Sequence, residues 1–373
     1  MQKSDGMMYA PKGKPKPVCK PGEFKFAVIG LDHGHIYGMC NGLIEAGATL
    51  VKVYDKDESK VQQFCKIYPG VIPARSEEEV LEDPSIQLVA AAPIPCQRCP
   101  LGLKVMDYGK DYFADKPAIT SLEQLKLARE KVKSTGKKFF IYFSERLHVE
   151  AAVYAGELIK DGVVGKVLQV IGLGPHRLNP KTRPDWFFDK NATGGILCDI
   201  GSHQIEQFLY YSGAANATVL HSKVANYNNS EYPNFEDFGD ATLIADNGAT
   251  HYFRVDWFTP DGLNAWGDGR TFILGTEGTI ELRKYLDIAR DTTGDYLYIA
   301  DKKGERCINV NGRVGFPFFG NLIIDCLTRG ETAMPQRHSF LAMELALVAQ
   351  SSAIHVNDKI PQKDLLKRFL NWF

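Results

Sequence analysis

The feature that most restricts what this chain can fold into is the order of residues 24–55. Phe24-Lys25-Phe26-Ala27-Val28-Ile29-Gly30 is a short apolar strand that stops on glycine, Ile36 to Ala46 has helical character, and Leu50-Val51-Lys52-Val53-Tyr54-Asp55 is a second strand closing on an acid. Strand, turn, helix, strand and acid in this order make a dinucleotide-binding unit, whose acid accepts hydrogen bonds from ribose hydroxyls. Asp55 holds that place. It favours NAD, because a 2′-phosphate would meet a carboxylate, while Lys56 beside it softens the repulsion and leaves NADP open. The turn itself departs from G-x-G-x-x-G: it reads Gly30-Leu31-Asp32-His33-Gly34-His35, with Asp32 and His35 where the second and third glycines would stand. An acid at the second position suits a pyrophosphate badly. Asp32 is therefore expected to cap the following helix, with Gly34 and the imidazoles of His33 and His35 facing the phosphates. A strand-to-helix turn that binds no nucleotide is the competing reading of this loop.

The alternation continues. Helices over Lys56–Tyr68, Ser76–Leu81, Leu101–Tyr108 and Leu122–Ser134 intervene between strands at Ile86–Ala92, Asp111–Ala114 and Lys138–Phe143, with Pro93 and Pro95 in a loop. This predicts an α/β fold with a doubly wound parallel sheet over residues 24–145. Lys116, in Asp115-Lys116-Pro117, falls at the end of a strand, the edge where such sheets bind ligands; a lone lysine there is more commonly a surface charge. From Lys166 the period changes to that of strands, with hairpin-turn chemistry at Asp246-Asn247-Gly248 and Lys302-Lys303-Gly304. Residues 146–373 are expected to form an α+β domain around a large, open, mostly antiparallel sheet. Its free face would need covering, so a homodimer or homotetramer is expected. Residues 1–23 interleave Lys12, Lys14, Lys16 and Lys20 with Pro11, Pro15, Pro17 and Pro21, giving an extended arm or, by the usual behaviour of termini, a solvated tail.

One stretch of the second domain carries chemistry. In Thr193 to Glu206, helical spacing puts Leu197, Gly201, Ile205 and Phe208 on one face and Asp199, His203 and Glu206 on another. A carboxylate one turn from an imidazole can fix its tautomer and stabilise its protonated form, although an isolated pair of this kind is more commonly a solvated helix face. Gly201 inside a helix costs about 1 kcal/mol relative to alanine and points to a close approach there.

Composition narrows the partners. Lys plus Arg number 44 against 45 Asp plus Glu, a net charge of −1 that offers no electrostatic capture of nucleic acid or anionic membrane. No apolar run reaches the length of a membrane span and the N-terminus lacks a secretory pattern, so a cytoplasmic protein with a small-molecule partner is expected. The eight cysteines are scattered, as reduced thiols would be. No metal site is expected: Cys96-Gln97-Arg98-Cys99 has no second close pair, and Asp32, His33 and His35 would need a ligand from elsewhere in the chain.

Taken together, these features resemble the Gfo/Idh/MocA family of oxidoreductases over nearly the whole chain after the arm. Asp115-Lys116-Pro117 is similar to the family's Glu-Lys-Pro motif, Gly194, Gly195, Asp199, Gly201 and His203 match its Gly-Gly-x-x-x-Asp-x-Gly-x-His motif, and Asp161 to Lys166 resemble its turn into the first strand of the second sheet. The resemblance implies a Rossmann domain for NAD(P) and a sugar, polyol or cyclitol substrate, oxidised or reduced at a secondary alcohol. It implies His203 as the acid/base, Asp199 as its neighbour on the substrate, and Lys116 as a bridge between nicotinamide ribose and substrate oxygen. Pro93 and Arg98 would also meet the cofactor, Arg98 standing near the family's usual histidine. His176, Arg177, Arg183 and Trp186 crowd the loop before the motif and offer donors and an aromatic face for a polyol. Arg146 is placed to bridge the two halves. Glu206 replaces a common aspartate with its charge kept. Two other functions fit the same residues: an NAD-dependent glycoside-cleaving enzyme working by transient oxidation and elimination, and a non-catalytic ligand-binding relative.

Overall fold

The computed structural model describes residues 4–290 and 293–356; residues 357–373 of the expected second domain lie outside them. The apolar runs of the first half form six parallel strands: β1 (Lys25–Ile29), β2 (Thr49–Tyr54), β3 (Ile72–Pro73), β4 (Leu88–Ala91), β5 (Asp111–Asp115) and β6 (Phe139–Tyr142). β4, β5 and β6 are buried along their whole length, because helices cover both faces. The helices are α1 (His35–Glu45), α2 (Glu58–Ile67), α3 (Glu77–Leu81), α4 (Pro95–Asp107) and α5 (Leu122–Thr135). α4 starts earlier than its periodicity indicates: Pro95 belongs to its first turn, where a missing N–H costs nothing, and not to a loop. The order β3-β2-β1-β4-β5-β6 reverses direction between β1 and β4. The crevice at that reversal is bounded by the turns after β1, β4 and β5.

Beyond α6 (Ser144–Leu147) and α7 (Glu150–Lys160) lies the second sheet, nine strands in the order β14-β13-β12-β11-β7-β10-β9-β8-β15. They are β7 (Val167–Pro175), β8 (Ala217–Ala225), β9 (Phe238–Ala245), β10 (Thr250–Asp256), β11 (Arg270–Gly275), β12 (Gly278–Arg283), β13 (Tyr296–Asp301), β14 (Gly304–Asn309) and β15 (Ile354–His355). The pairing is antiparallel except for β7 with β10 and β8 with β15. One face is covered; the other presents Ile244, Tyr252 and Leu274 exposed.

After the short α8 (Lys190–Thr193), the motif stretch forms α9 (Ile196–Asp199) and α10 (Gly201–Ser212). Its polar face is not solvated: every residue from Gly201 to Leu209 is buried. α10 lies on β7, where Gly172 and Gly174 leave space that Gln204 fills; a Cβ at Gly172 would stand 2.3 Å from the Gln204 side-chain oxygen. Gly201 likewise admits the Phe253 ring of β10, 3.0 Å from where its Cβ would be. On the opposite side, Arg146 Nε shares its hydrogen between the two Glu206 carboxylate oxygens at 2.8 Å, Nη2 donates to one of them at 2.5 Å, His338 lies 3.0 Å from the carboxylate, and the guanidinium stacks 3.9 Å from the centre of the Tyr210 ring. Burial alone would raise the Glu206 pKa, but the Arg146 charge and the hydrogen bonds from Arg146 and His338 together outweigh it and bring it down to about 2.

The chain then returns to the first domain through α11 (Pro317–Thr328) and α12 (Gln336–Ser352). Phe319 fills the space beside Gly42 of α1, and the Gln336 side chain accepts from Phe139 N at 2.7 Å and donates to Phe139 O at 3.2 Å. The N-terminal segment docks on its own chain. Lys16 N and Val18 N donate to the Glu45 and Ala46 carbonyls at the end of α1, Gly13 N donates to the Glu45 carboxylate, and Met7, Met8, Tyr9 and Ala10 pack over Gly34 and Gly38.

Candidate active site

Two adjoining hollows occupy the crevice. The first is a groove lined by Gly30, Asp32, Tyr54, Asp55, Lys56, Pro93, Gln97, Leu101 and Lys104. Gly30 is at φ +84°, and a Cβ there would stand 2.8 Å from the Pro93 ring, so the turn admits only glycine. Asp55 accepts from Leu31 N at 2.6 Å and from Asp57 N at 2.8 Å, which ties the acid at the end of β2 to the turn after β1. Asp32 does not cap α1: the N-cap is Gly34, and the His35 N–H of the first turn donates to His33 Nδ1 at 3.2 Å. It pairs with Lys60 of α2 at 2.5 Å and accepts from Ile94 N at 3.2 Å, so its charge is neutralised locally. The groove thus keeps the acid that suits ribose hydroxyls while the misplaced acid of the glycine turn is compensated, and these residues fit a dinucleotide.

The second hollow is assembled from distant segments. Lys116, Glu145, His176, Arg183, Trp186, Asp199, His203, Trp257 and Trp266 line it, together with His33 and His35 and with Asp5, Gly6, Met7 and Tyr9 of the N-terminal segment. Lys116 is only 5% exposed, no surface charge, and its ammonium lies 2.8 Å from the Asp199 carboxylate. Asp199 is therefore engaged across the domain boundary by Lys116. His203 is buried, and its Nδ1 has no hydrogen-bond partner among the described residues. Burial holds its imidazole well below the usual histidine range; the Lys116 charge acts in the same direction, while Glu145 opposes it. His176 is lowered to about 4, again chiefly by burial. It packs against Trp266 and Trp257, with ring centres 4.5 and 5.3 Å away. Both imidazoles are neutral at neutral pH and can accept a proton.

Other expected residues are placed differently. Arg98 lies beneath the second hollow, fully buried, not in the groove. Its guanidinium donates to the Pro93 carbonyl at 2.8 Å and to the Lys116 carbonyl, and stands 3.0 Å from Asp115. It therefore holds the lysine loop in place. His33 and His35 converge on the same Asp115, at 3.3 and 2.9 Å, and not on the groove. The ligand atoms of these three lie within 4.8 Å of one another, a spacing open to a metal ion, but the Arg98 guanidinium already supplies a positive charge to the carboxylate. Gly34 faces Met7 and Met8, whose atoms fill the space a Cβ would need. Arg177 does not line the hollow: it donates to the carbonyls of Ser4, Pro260 and Leu263. Arg183 reaches the Asp5 carbonyl at 3.4 Å, so the two arginines seat the N-terminal segment. Cys96 and Cys99 are free thiols, as are the other six cysteines.

Comparison with known proteins bears on the fold and the family. Residues 24–143 match the family model described as an oxidoreductase family with an NAD-binding Rossmann fold, and residues 153–281 match that of the GFO/IDH/MocA C-terminal domain. A scyllo-inositol 2-dehydrogenase (NAD(+)) of Bacillus subtilis (strain 168) is 30% identical over 265 residues, 69% of this chain and 73% of the relative. The chain belongs to the Gfo/Idh/MocA family of oxidoreductases. Its first domain is thus an NAD-binding Rossmann domain. A crystal structure of a protein assigned as an oxidoreductase, from Erwinia carotovora atroseptica SCRI1043, is 50% identical, with a TM-score of 0.87 over 90% of this chain and all of that one. An Agrobacterium radiobacter oxidoreductase, in complex with NAD+, L-tartaric acid and magnesium, shares the fold at 16% identity, with a TM-score of 0.72 over 89% of this chain and 96% of that one. Among the described residues no helix is long and apolar enough to cross a membrane.

Sequence reasoning missed two parts of the second hollow. One is the N-terminal segment, whose Lys/Pro composition gave no sign of a docked end. The other is Glu145, which follows β6 at the ligand-binding edge of the sheet, a position that could have drawn attention to it.

Proposed function

We propose that the chain is an NAD-dependent dehydrogenase of a sugar, polyol or cyclitol, interconverting a secondary alcohol and a ketone. The observation that carries this reading is the Lys116–Asp199 ion pair across the domain boundary, in one cavity with the neutral His203 and next to the groove of Gly30 and Asp55. Asp55 and Gly30 would hold the adenosine end of the dinucleotide, and Lys56 leaves room for NADP. The bound nicotinamide supplies the hydride acceptor. His203 takes the hydroxyl proton, which an imidazole kept neutral by burial can do. Lys116 stabilises the developing alkoxide, and Asp199 orients Lys116 and the substrate. His176 and Trp186 offer a donor or acceptor and an aromatic face to the carbon ring. The open sheet face with Ile244, Tyr252 and Leu274 serves as the surface of a homodimer or homotetramer, to be checked by light scattering.

The test is NADH formation by the wild-type chain and by Lys116→Ala over a panel of inositols, pentoses and hexoses. The wild type is expected to turn over at least one polyol, and the variant to lose at least about 100-fold. Equal rates would remove Lys116 from the chemistry.

A further inference from the structure

Glu145 is 2% exposed, and its two carboxylate oxygens are treated unequally. Oε2 accepts from Lys284 at 2.7 Å and from the Gln204 amide at 2.9 Å. Oε1 has no hydrogen-bond partner among the described residues; the neutral imidazole of His176 stands off it, with Nε2 4.0 Å away. Burial alone would raise this acid, yet the Lys284 charge, with His203 and His176 behind it, holds it below the usual carboxylate range. A buried anion with half of its acceptor capacity unused is costly, and native structures seldom keep one without a partner. His203 Nδ1 lacks a partner too, and both residues line the cavity that holds Lys116 and Asp199. Trp266 Nε1, in the same cavity, also lacks a partner among the described residues. An unsatisfied carboxylate oxygen beside an unsatisfied imidazole calls for a ligand that brings hydroxyl donors.

We propose that Glu145 is a substrate-orienting residue, whose Oε1 accepts a hydrogen bond from the hydroxyl next to the one that reacts, so that the site selects vicinal polyols. Lys284 and Gln204 fix the carboxylate and saturate its other oxygen, leaving one acceptor at a defined place. This rests on the dehydrogenase reading above and names the substrate feature that the site reads.

The experiment is a cycle between protein and substrate. Wild type and Glu145→Gln are assayed for kcat/KM on scyllo-inositol, myo-inositol and D-xylose, and on the analogues that lack the hydroxyl beside the reacting carbon. Wild type is expected to lose about 10- to 100-fold on the deoxy analogue, the range of a hydrogen bond to a charged group. In Glu145→Gln that penalty shrinks to roughly 3-fold or less, while NADH affinity, read by fluorescence, stays as in wild type. The double variant Glu145→Gln/Lys284→Met, which leaves no unpaired ammonium, repeats the measurement if the single variant is poorly folded. A deoxy penalty as large in the variants as in wild type overturns the proposal and leaves the dehydrogenase reading standing. Absence of turnover of every polyol by the wild type overturns both.

Discussion

The two hollows of the crevice are built in opposite ways. The groove takes half of its lining from one short run of sequence, residues 29–56, and nearly all of the rest from Pro93 and α4. Its acid is tied to its glycine turn by a direct bond from Leu31 N to Asp55. The neighbouring cavity draws Lys116, Glu145, His176 and His203 from four separate elements and closes them over with residues 5–9. A local motif specifies its own geometry. A dispersed site depends on two domains and an N-terminal segment being held in register.

That difference can be broken or sharpened by variants on each side. The largest effect is expected for His203→Asn, which removes the proton acceptor but keeps a polar side chain: kcat falls by about 10²- to 10⁴-fold, and NADH affinity, measured by fluorescence titration, hardly moves. A comparable loss of NADH binding would mean that the two hollows are not separate units. Next comes Arg146→Ala, which leaves Glu206 buried without its main partner. About 3–5 kcal/mol of stability should be lost, read by urea unfolding, because this pair anchors α10 beneath the dispersed site. Removal of residues 1–9 should raise the substrate KM by roughly 10-fold through the loss of one cavity wall, with a smaller change in NADH affinity. Asp55→Ala should weaken NAD by about 10-fold and relax the preference against NADP, with the substrate KM unchanged.

The last prediction concerns pH, with stability as the readout. His148, His176 and His251 are buried, and burial lowers them from an ordinary 6.5 to about 3, 4 and 4. The unfolded chain binds protons that the folded chain does not, so stability should decline as pH falls from about 6.5 towards 4. Glu206, lowered to about 2, adds a further loss between its ordinary range near 4.5 and pH 2. Thermal melts across this window give the check; a flat profile from pH 7 to 4 would contradict the buried, neutral state of the imidazoles.

What the residues reveal by themselves follows the same division. The strand and acid order of residues 24–55, the parallel sheet and the change of period at Lys166 are local patterns, and each reappears in the structure. So does the proximity of Lys116 and Asp199, although only the resemblance to a family brought these two together; nothing in their spacing does. Asp32 is misread because its partner, Lys60, lies on the next helix; the close approach at Gly201 is legible, but not that the ring making it belongs to β10. The polar face of α10 looks solvated in sequence, since helical period reports polarity and not whether a buried partner such as Arg146 compensates it. Glu145 shows only its place at the ligand-binding edge, because an acid is ordinary until its neighbours are known.

Gln336 has a consequence for solubility. β6 is the outer strand of the first sheet, and its backbone would otherwise offer a hydrogen-bonding edge to any passing extended chain. By taking both the N–H and the carbonyl of Phe139, a single amide side chain from α12 occupies the place of a seventh strand. The clasp that returns the chain to its first domain thus also guards that domain against edge-to-edge association.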